Sequence, residues 1–155
     1  MTENELFSRR PLGMRMAMVV RQWRAAIDHA LRDTGITQSS WTVLMQLQQL
    51  GENVSVSELA EVQGIELPPL MRTLALLEKR GLIARTTSPY DKRIRLLALT
   101  SKGCALLEKI TQVIEACQLR ATKNIPAEDL QKFSATLSQL ACNLRVMREE
   151  DNKTE

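Results

Sequence analysis

The chain is poor in the residues that catalysis uses. His29 is its one histidine, and no Ser or Cys nucleophile, carboxylate pair or metal-ligating neighbour stands at a useful spacing from it, which excludes the usual nucleophilic and acid–base arrangements. The six glycines form no phosphate-binding loop. Cys104, Cys117 and Cys142 are an odd set without CxxC or His/Cys spacing, so neither a disulfide framework nor a zinc site is expected. They read as small, buried or half-buried apolar residues, since oxidant sensing would require an accessible low-pKa thiol that no neighbouring sequence demands. No catalytic residue, metal or cofactor is implied. No window reaches 18 uninterrupted apolar residues, and the opening MTENELFSRRPLG has no apolar h-region, so neither a transmembrane helix nor a signal peptide is expected.

What is present is an ordinary globular balance. The 155 residues are 44% apolar and 25% charged, which fits one compact unit and no disordered or fibrous class. Dividing the net charge of +3 along the chain is more informative. Residues 55–103 hold eight Lys/Arg against five Asp/Glu, and residues 104–155 hold seven against eight. The basic middle has the asymmetry of a segment that touches a polyanion.

Helical periodicity dominates. Met16, Val19, Val20, Trp23, Ile27, Ala30 and Leu31 recur at three- and four-residue steps and predict a long amphipathic helix ending near Gly35. Thr37 can cap a second, with Trp41, Leu44, Leu47 and Leu50 inward and Gly51 as its stop. In NVSVSELAEVQG, Ser55 and Glu58 have capping-box spacing, and Val54 can staple onto Leu59. After Gly64, IELPPLMRTLALLEKRG opens another helix on Pro68 and Pro69, with Leu70, Leu74 and Leu77 inward until Gly81. Two short helices across a tight turn make a helix-turn-helix. GLIARTT and RIRLLALT then read as strands around the Pro-bearing turn Ser88 to Lys92. A helix-turn-helix followed by such a hairpin is a winged helix.

The hairpin region is rich in cations, with Lys92, Arg93, Arg95 and Lys102 in SPYDKRIRLLALTSKG. A recognition helix enters the major groove, and a basic wing beside it can reach phosphates or the minor groove, whose negative potential favours Arg. Asp91 makes sense there as a carboxylate that holds a guanidinium, not as a phosphate contact. Downstream, Thr100 or Ser101 can cap a helix from Lys102 to about Arg120, with Leu106, Ile110, Val113, Ile114 and Cys117 on one side. A last helix from Ala127 to about Arg148 carries Leu130, Phe133, Leu137, Leu140, Leu144 and Met147. Both helices, like the first, have more apolar surface than a small winged lobe can cover, which points to a two-fold dimer.

The segments VSVSELAE, LMRTLALLEKRGLIAR and DKRIRLLALTSKG, in that order, resemble the MarR family of bacterial winged-helix regulators, and the D-x-R wing (Asp91, Arg93) followed by Leu99, Thr100 and Gly103 is the most specific mark. VVRQWRAAIDHAL, GITQSSWTVLMQL and GIELPPLMRTLALLE resemble its SlyA branch, so the likeness covers about residues 12–147. It implies a mainly α fold with a minor β part, a winged helix-turn-helix with N- and C-terminal dimerisation helices. The expected layout is an N-terminal arm (1–11), helical dimerisation regions (12–35 and 104–148), a DNA-binding lobe (36–103) and a disordered tail (149–155).

The resemblance also implies roles. Asp91 and Arg93 match the positions that steady and insert a minor-groove arginine, and Lys92 and Arg95 match basic wing positions near the backbone, with Arg85 in the adjoining strand. On the recognition helix, Leu67, Pro68, Pro69, Arg72 and Thr73 face the groove. Leu67 and Pro69 depart from the polar residues common in the branch, so direct readout falls to Arg72, aided by Thr73 and by contacts with thymine methyls. Arg72 can equally be a phosphate contact or a solvated charge. Trp23, Arg24, His29 and Trp41 match segments that line pockets for phenolic or aromatic carboxylate ligands, although both tryptophans also suit the core and His29 suits a helix C-terminus. The expected partners are a pseudo-palindromic duplex operator with A·T-rich flanks, a second copy of the chain and such a small ligand, without any membrane. The expected function is transcription regulation, as repressor or activator, in the cytoplasm at the nucleoid. The rival reading is a helical adaptor whose basic hairpin meets an acidic protein.

Overall fold

A computed structural model describes residues 2–154, and among them the chain forms seven α-helices and three short strands. Helix α1 (Glu3–Ser8) puts a short helix into the expected arm, starting on a full capping box in which the Thr2 and Glu5 side chains each accept from the other's backbone N–H. Helix α2 (Leu12–Ala30) passes into a 3-10 turn (Arg32–Thr34) that Gly35 closes at φ 66°, a conformation that costs a residue without Cβ little. Helix α3 (Gln38–Leu50) is capped by Thr37, whose Oγ1 accepts from the Ser40 N–H at 3.2 Å, while Asp28 of α2 accepts from the Gln38 N–H.

Strand β1 (Val54–Ser55) leads directly into α4 (Val56–Gln63), and the Ser55 hydroxyl accepts from the Glu58 N–H at 3.1 Å. Of the capping box, only this forward bond forms among the described residues. Helix α5 (Leu67–Lys79) follows, with its prolines in the first turn, where backbone N–H groups lack helical partners in any case. Strands β2 (Ile83–Thr87) and β3 (Arg95–Leu99) form the hairpin. The sheet is antiparallel in the order β1-β3-β2, with Val54 opposite Leu97, Ile83 opposite Leu99 and Thr87 opposite Arg95. Strand β3 begins two residues later than the run RIRLLALT suggests. The Ile94 N–H donates to the Asp91 carbonyl and the Ser88 N–H to the Ile94 carbonyl, so Arg93 and Ile94 belong to the loop.

Thr100 is the cap of α6 (Ser101–Ala121), accepting from the Gly103 N–H at 3.0 Å. Lys102 therefore lies on α6 and not on the hairpin. The chain divides into two compact units, one ending at Gln118 and one beginning at Leu119. The first holds a single core in which Ile27, Leu31, Leu44, Leu47, Leu59, Leu70, Leu74, Leu77, Leu97, Leu107 and Ile110 are fully buried. Each such side chain contributes about 1.5–3 kcal/mol of hydrophobic stabilisation. The recognition-helix stripe Leu70, Leu74, Leu77 lies inward as its spacing predicts. On α6 the inward face is Gly103, Leu107, Ile110 and Ile114, so Val113 points outward, and Val19, Val20 and Leu50 are likewise exposed. The first half of α6 thus belongs to the core of the winged lobe.

The second unit contains α7 (Ala127–Thr154), which begins after Asn124 at φ 65°. Among its described side chains none is buried: Phe133, Leu137, Leu144 and Met147 are exposed, and Leu130 and Leu140 half-buried. A Glu128–Lys132 ion pair at 2.6 Å braces its first turns at the favourable four-residue spacing. The helix continues past the expected end near Arg148, as far as Thr154. Within the tail EEDNKT has no proline or glycine to stop helix propagation. Residue 155 lies outside the described residues.

Candidate nucleic-acid interface

The wing tip is organised by short polar side chains. Buried Ser88 accepts through Oγ from the N–H groups of Tyr90 (3.2 Å) and Asp91 (3.4 Å), folding the chain around Pro89. Asp91 then clamps Arg93. Its Oδ1 accepts from the Arg93 backbone N–H at 2.9 Å and from Nε at 3.2 Å, and its Oδ2 from Nη2 at 3.1 Å. The guanidinium beside Asp91 and, next, the Arg93 N–H hold its carboxyl below the usual aspartate value. The Arg93 side chain is 90% exposed and Asp91 34%. A cation is therefore held in a fixed direction while still open to solvent, the geometry a groove-inserting arginine needs.

The other wing cations differ in freedom. Lys92 is exposed and has no ion pair among the described residues. Arg95 is exposed and donates across the ladder to Thr87 Oγ1. Arg85 is drawn inward, its Nε 3.1 Å from Glu78 Oε2 of α5 and its side chain 19% exposed. That ion pair links the wing to α5.

The outer face of α5 is mostly apolar at its start: Leu67 (49% exposed), Pro68, Pro69 and Met71 stand open to solvent. Arg72 is exposed beside them. Thr73 is half-buried, and its hydroxyl donates to the Pro69 carbonyl at 3.3 Å, so toward a base it can offer only its lone pairs. The C-terminal end of α5 is fastened by Arg80, Thr100 and Lys102. None of these contacts was read from the sequence, because each runs between residues at least 19 positions apart.

Trp23 and Trp41 pack half-buried against the core, Trp41 with its Nε1 buried and without a hydrogen-bond partner. Arg24 and His29 are exposed, His29 Nε2 lying 3.5 Å from Arg32 Nη2. A surface groove lined by Gln48, Leu107, Glu108, Thr111, Gln112 and Glu115 contains none of them. Among the described residues no group of His, Cys, Asp and Glu could hold a metal ion, and no helix is long and apolar enough to cross a membrane. Cys104 and Cys142 are exposed rather than buried, and Cys117 is half-buried.

Helix-turn-helix, three-stranded sheet and clamped wing define a winged helix of the MarR type. Residues 34–94 match the sequence model of the MarR family. The neighbours among solved structures are MarR-family regulators. Mutant MarR from E. coli complexed with operator DNA is 27% identical, with 84% of this chain and 93% of that one covered and a TM-score of 0.78. The transcriptional repressor CouR bound to a 23-mer DNA duplex is 26% identical over 91% of this chain and 98% of that one, with a TM-score of 0.80. CouR from Rhodococcus jostii RHA1 bound to p-coumaroyl-CoA is 26% identical over 87% and 94%, with a TM-score of 0.77.

Proposed function

We propose that this chain is a sequence-specific, duplex-DNA-binding transcription regulator that acts as a homodimer, of the SlyA-like branch, in the cytoplasm at the nucleoid. The observation that carries this reading is the Asp91–Arg93 clamp on an exposed wing beside a helix whose outer face is free. Arg93 enters the minor groove, while Lys92 and Arg95 approach phosphates. Arg72 reads a base edge, with Leu67, Pro68, Pro69 and Thr73 against the groove floor. Arg85 acts through Glu78, holding the wing to α5. The complexes of mutant MarR and of CouR with DNA support the assignment.

Dimerisation through residues 12–35 and 104–148 covers the apolar faces that α2 and α7 leave open. Two copies then present recognition helices to half-sites about one helical turn apart. CouR bound to p-coumaroyl-CoA supports a small aromatic carboxylate or phenolic effector for this chain as well, with Trp23, Arg24, His29 and Trp41 as the residues to test.

Duplex binding across a salt series tests the proposal against an acidic protein partner. Phosphate neutralisation makes log K fall linearly and steeply with log salt, and removing one phosphate-near cation lowers that slope by about 1. Affinity for DNA that is weak at low salt and flat as salt rises would favour the adaptor reading.

A further inference from the structure

Helix α5 is held asymmetrically. At its start Glu66 makes no side-chain capping bond, and the first turn is Pro68 and Pro69, exposed. At its end, half-buried Arg80 donates from Nη1 to the Gly35 carbonyl at 2.7 Å and from Nη2 to the Thr34 carbonyl at 2.9 Å, both in the 3-10 turn that ends α2. The Arg80 carbonyl in turn accepts from Lys102 Nζ of α6 at 2.9 Å, and the next carbonyl, Gly81, accepts from the Thr100 hydroxyl at 2.6 Å.

We propose that Arg80 is a positioning residue for DNA recognition: its two-pronged guanidinium is a strut that sets the tilt of α5 against the end of α2, so that the unfastened first turn meets the groove in register. This rests on the DNA-binding reading above. Leu70, Leu74 and Leu77 fix which face of α5 is inward, but a leucine stripe alone leaves the helix free to rock. Two planar donors on two successive carbonyls remove that freedom, because a guanidinium fork holds direction as well as distance. The same strut connects α2, where Arg24 and His29 lie, to the reading helix, so a shift of the α2 end is passed to α5.

The test compares Arg80→Met, Arg80→Lys and Arg93→Ala in the full chain. The probes are the duplex that the wild-type chain enriches from a random pool and the same duplex with its central bases scrambled. Arg80→Met should lower the ratio of the two affinities by roughly three- to thirtyfold, the range of a coupling carried through packed neighbours. It should leave scrambled-duplex affinity and the salt slope unchanged, because Arg80 touches no phosphate. Arg80→Lys, which can reach one carbonyl, should recover part of the ratio. Arg93→Ala should instead weaken both duplexes and lower the slope. An Arg80→Met protein that loses both affinities in proportion, or loses neither, overturns the strut. If that variant does not fold, Arg80→Lys decides, since it keeps the charge and loses the fork: a reduced ratio supports the strut and an unchanged ratio overturns it. A wild-type chain that enriches no duplex overturns the DNA-binding reading and the strut with it, an outcome distinct from failure of the Arg80 arms.

Discussion

Gly103 lies so close to Leu82 that a Cβ on it would stand 2.1 Å from the Leu82 carbonyl oxygen. That oxygen already accepts from the Thr100 N–H at 3.1 Å, so the start of α6 is docked on the backbone that links α5 to β2. The Leu-Thr-x-x-Gly spacing is the sequence form of this contact: Thr100 caps the helix, and Gly103 lets it approach.

Gly103→Ala should therefore reverse the usual sign of a glycine-to-alanine change in a helix. Alanine normally gains up to about 1 kcal/mol there. Here the neighbour is backbone and cannot rotate away, so a net loss of about 1–3 kcal/mol is expected. Urea unfolding measures it, and a stabilised variant would show that α6 can shift without cost.

The Asp91 clamp carries a second expectation. Arg93→Ala should weaken operator binding by about 1–3 kcal/mol with the fold intact, and Asp91→Ala should weaken it too, although it removes a negative charge near phosphates. Titration calorimetry with the selected duplex reads both, and tighter binding by Asp91→Ala would mean that the carboxylate only repels DNA.

The clamp also has a pH dependence of defined sign. Because the Asp91 carboxyl is held below its ordinary value of 3.8, the folded state binds the proton less readily than the unfolded chain. The interaction is then present above that ordinary value and lost as pH falls through the lower, folded one. The Arg93 Nε resonance should stay constant from about pH 8 to about pH 5 and move only in stronger acid. Movement near neutrality would contradict the clamp.

Much of this was legible in the sequence because it is periodic or local. The Leu70, Leu74, Leu77 stripe, the Thr37 and Ser55 caps and the glycine stops at Gly35, Gly51 and Gly64 are set by residues within a turn or two of each other. Strand β1 escaped notice because two residues cannot show alternation; it exists only through its pairing with β3. The Arg85–Glu78 pair and the Lys102–Arg80 contact each join two different elements, so no local pattern marks them. Exposed Val113 and buried Leu107 differ only in which side of α6 meets the lobe, which periodicity alone leaves ambiguous.

Removal of residues from Asn124 onward should abolish both self-association and specific DNA binding. The truncation discards the α7 stripe of Phe133, Leu137, Leu144 and Met147, and a lone winged lobe reaches one half-site. Analytical ultracentrifugation and duplex binding report the two losses; a monomeric truncation that still holds a palindrome tightly would argue against the dimer.

The apolar start of α5 predicts how bases are weighed. With Leu67 and Pro69 unable to hydrogen-bond, central substitutions away from Arg72 should each cost near or below the lower end of the roughly 1–3 kcal/mol usual per mismatch. Replacing A·T flanks by G·C should cost as much or more, through the minor groove into which Arg93 is proposed to reach. A competition panel of single-base variants at one salt concentration separates the two.

The most direct measurement is selection of duplexes from a random pool by the full chain, followed by sequencing. A two-fold pair of winged lobes should enrich an inverted repeat with half-site centres about 10 base pairs apart and A·T-rich flanks where the wings fall. Arg93→Ala should then lose the flank preference before the central one. A pool that emerges unenriched, or one enriched for a single asymmetric half-site with no preference at the flanks, would contradict a DNA-reading dimer with Arg93 in the groove.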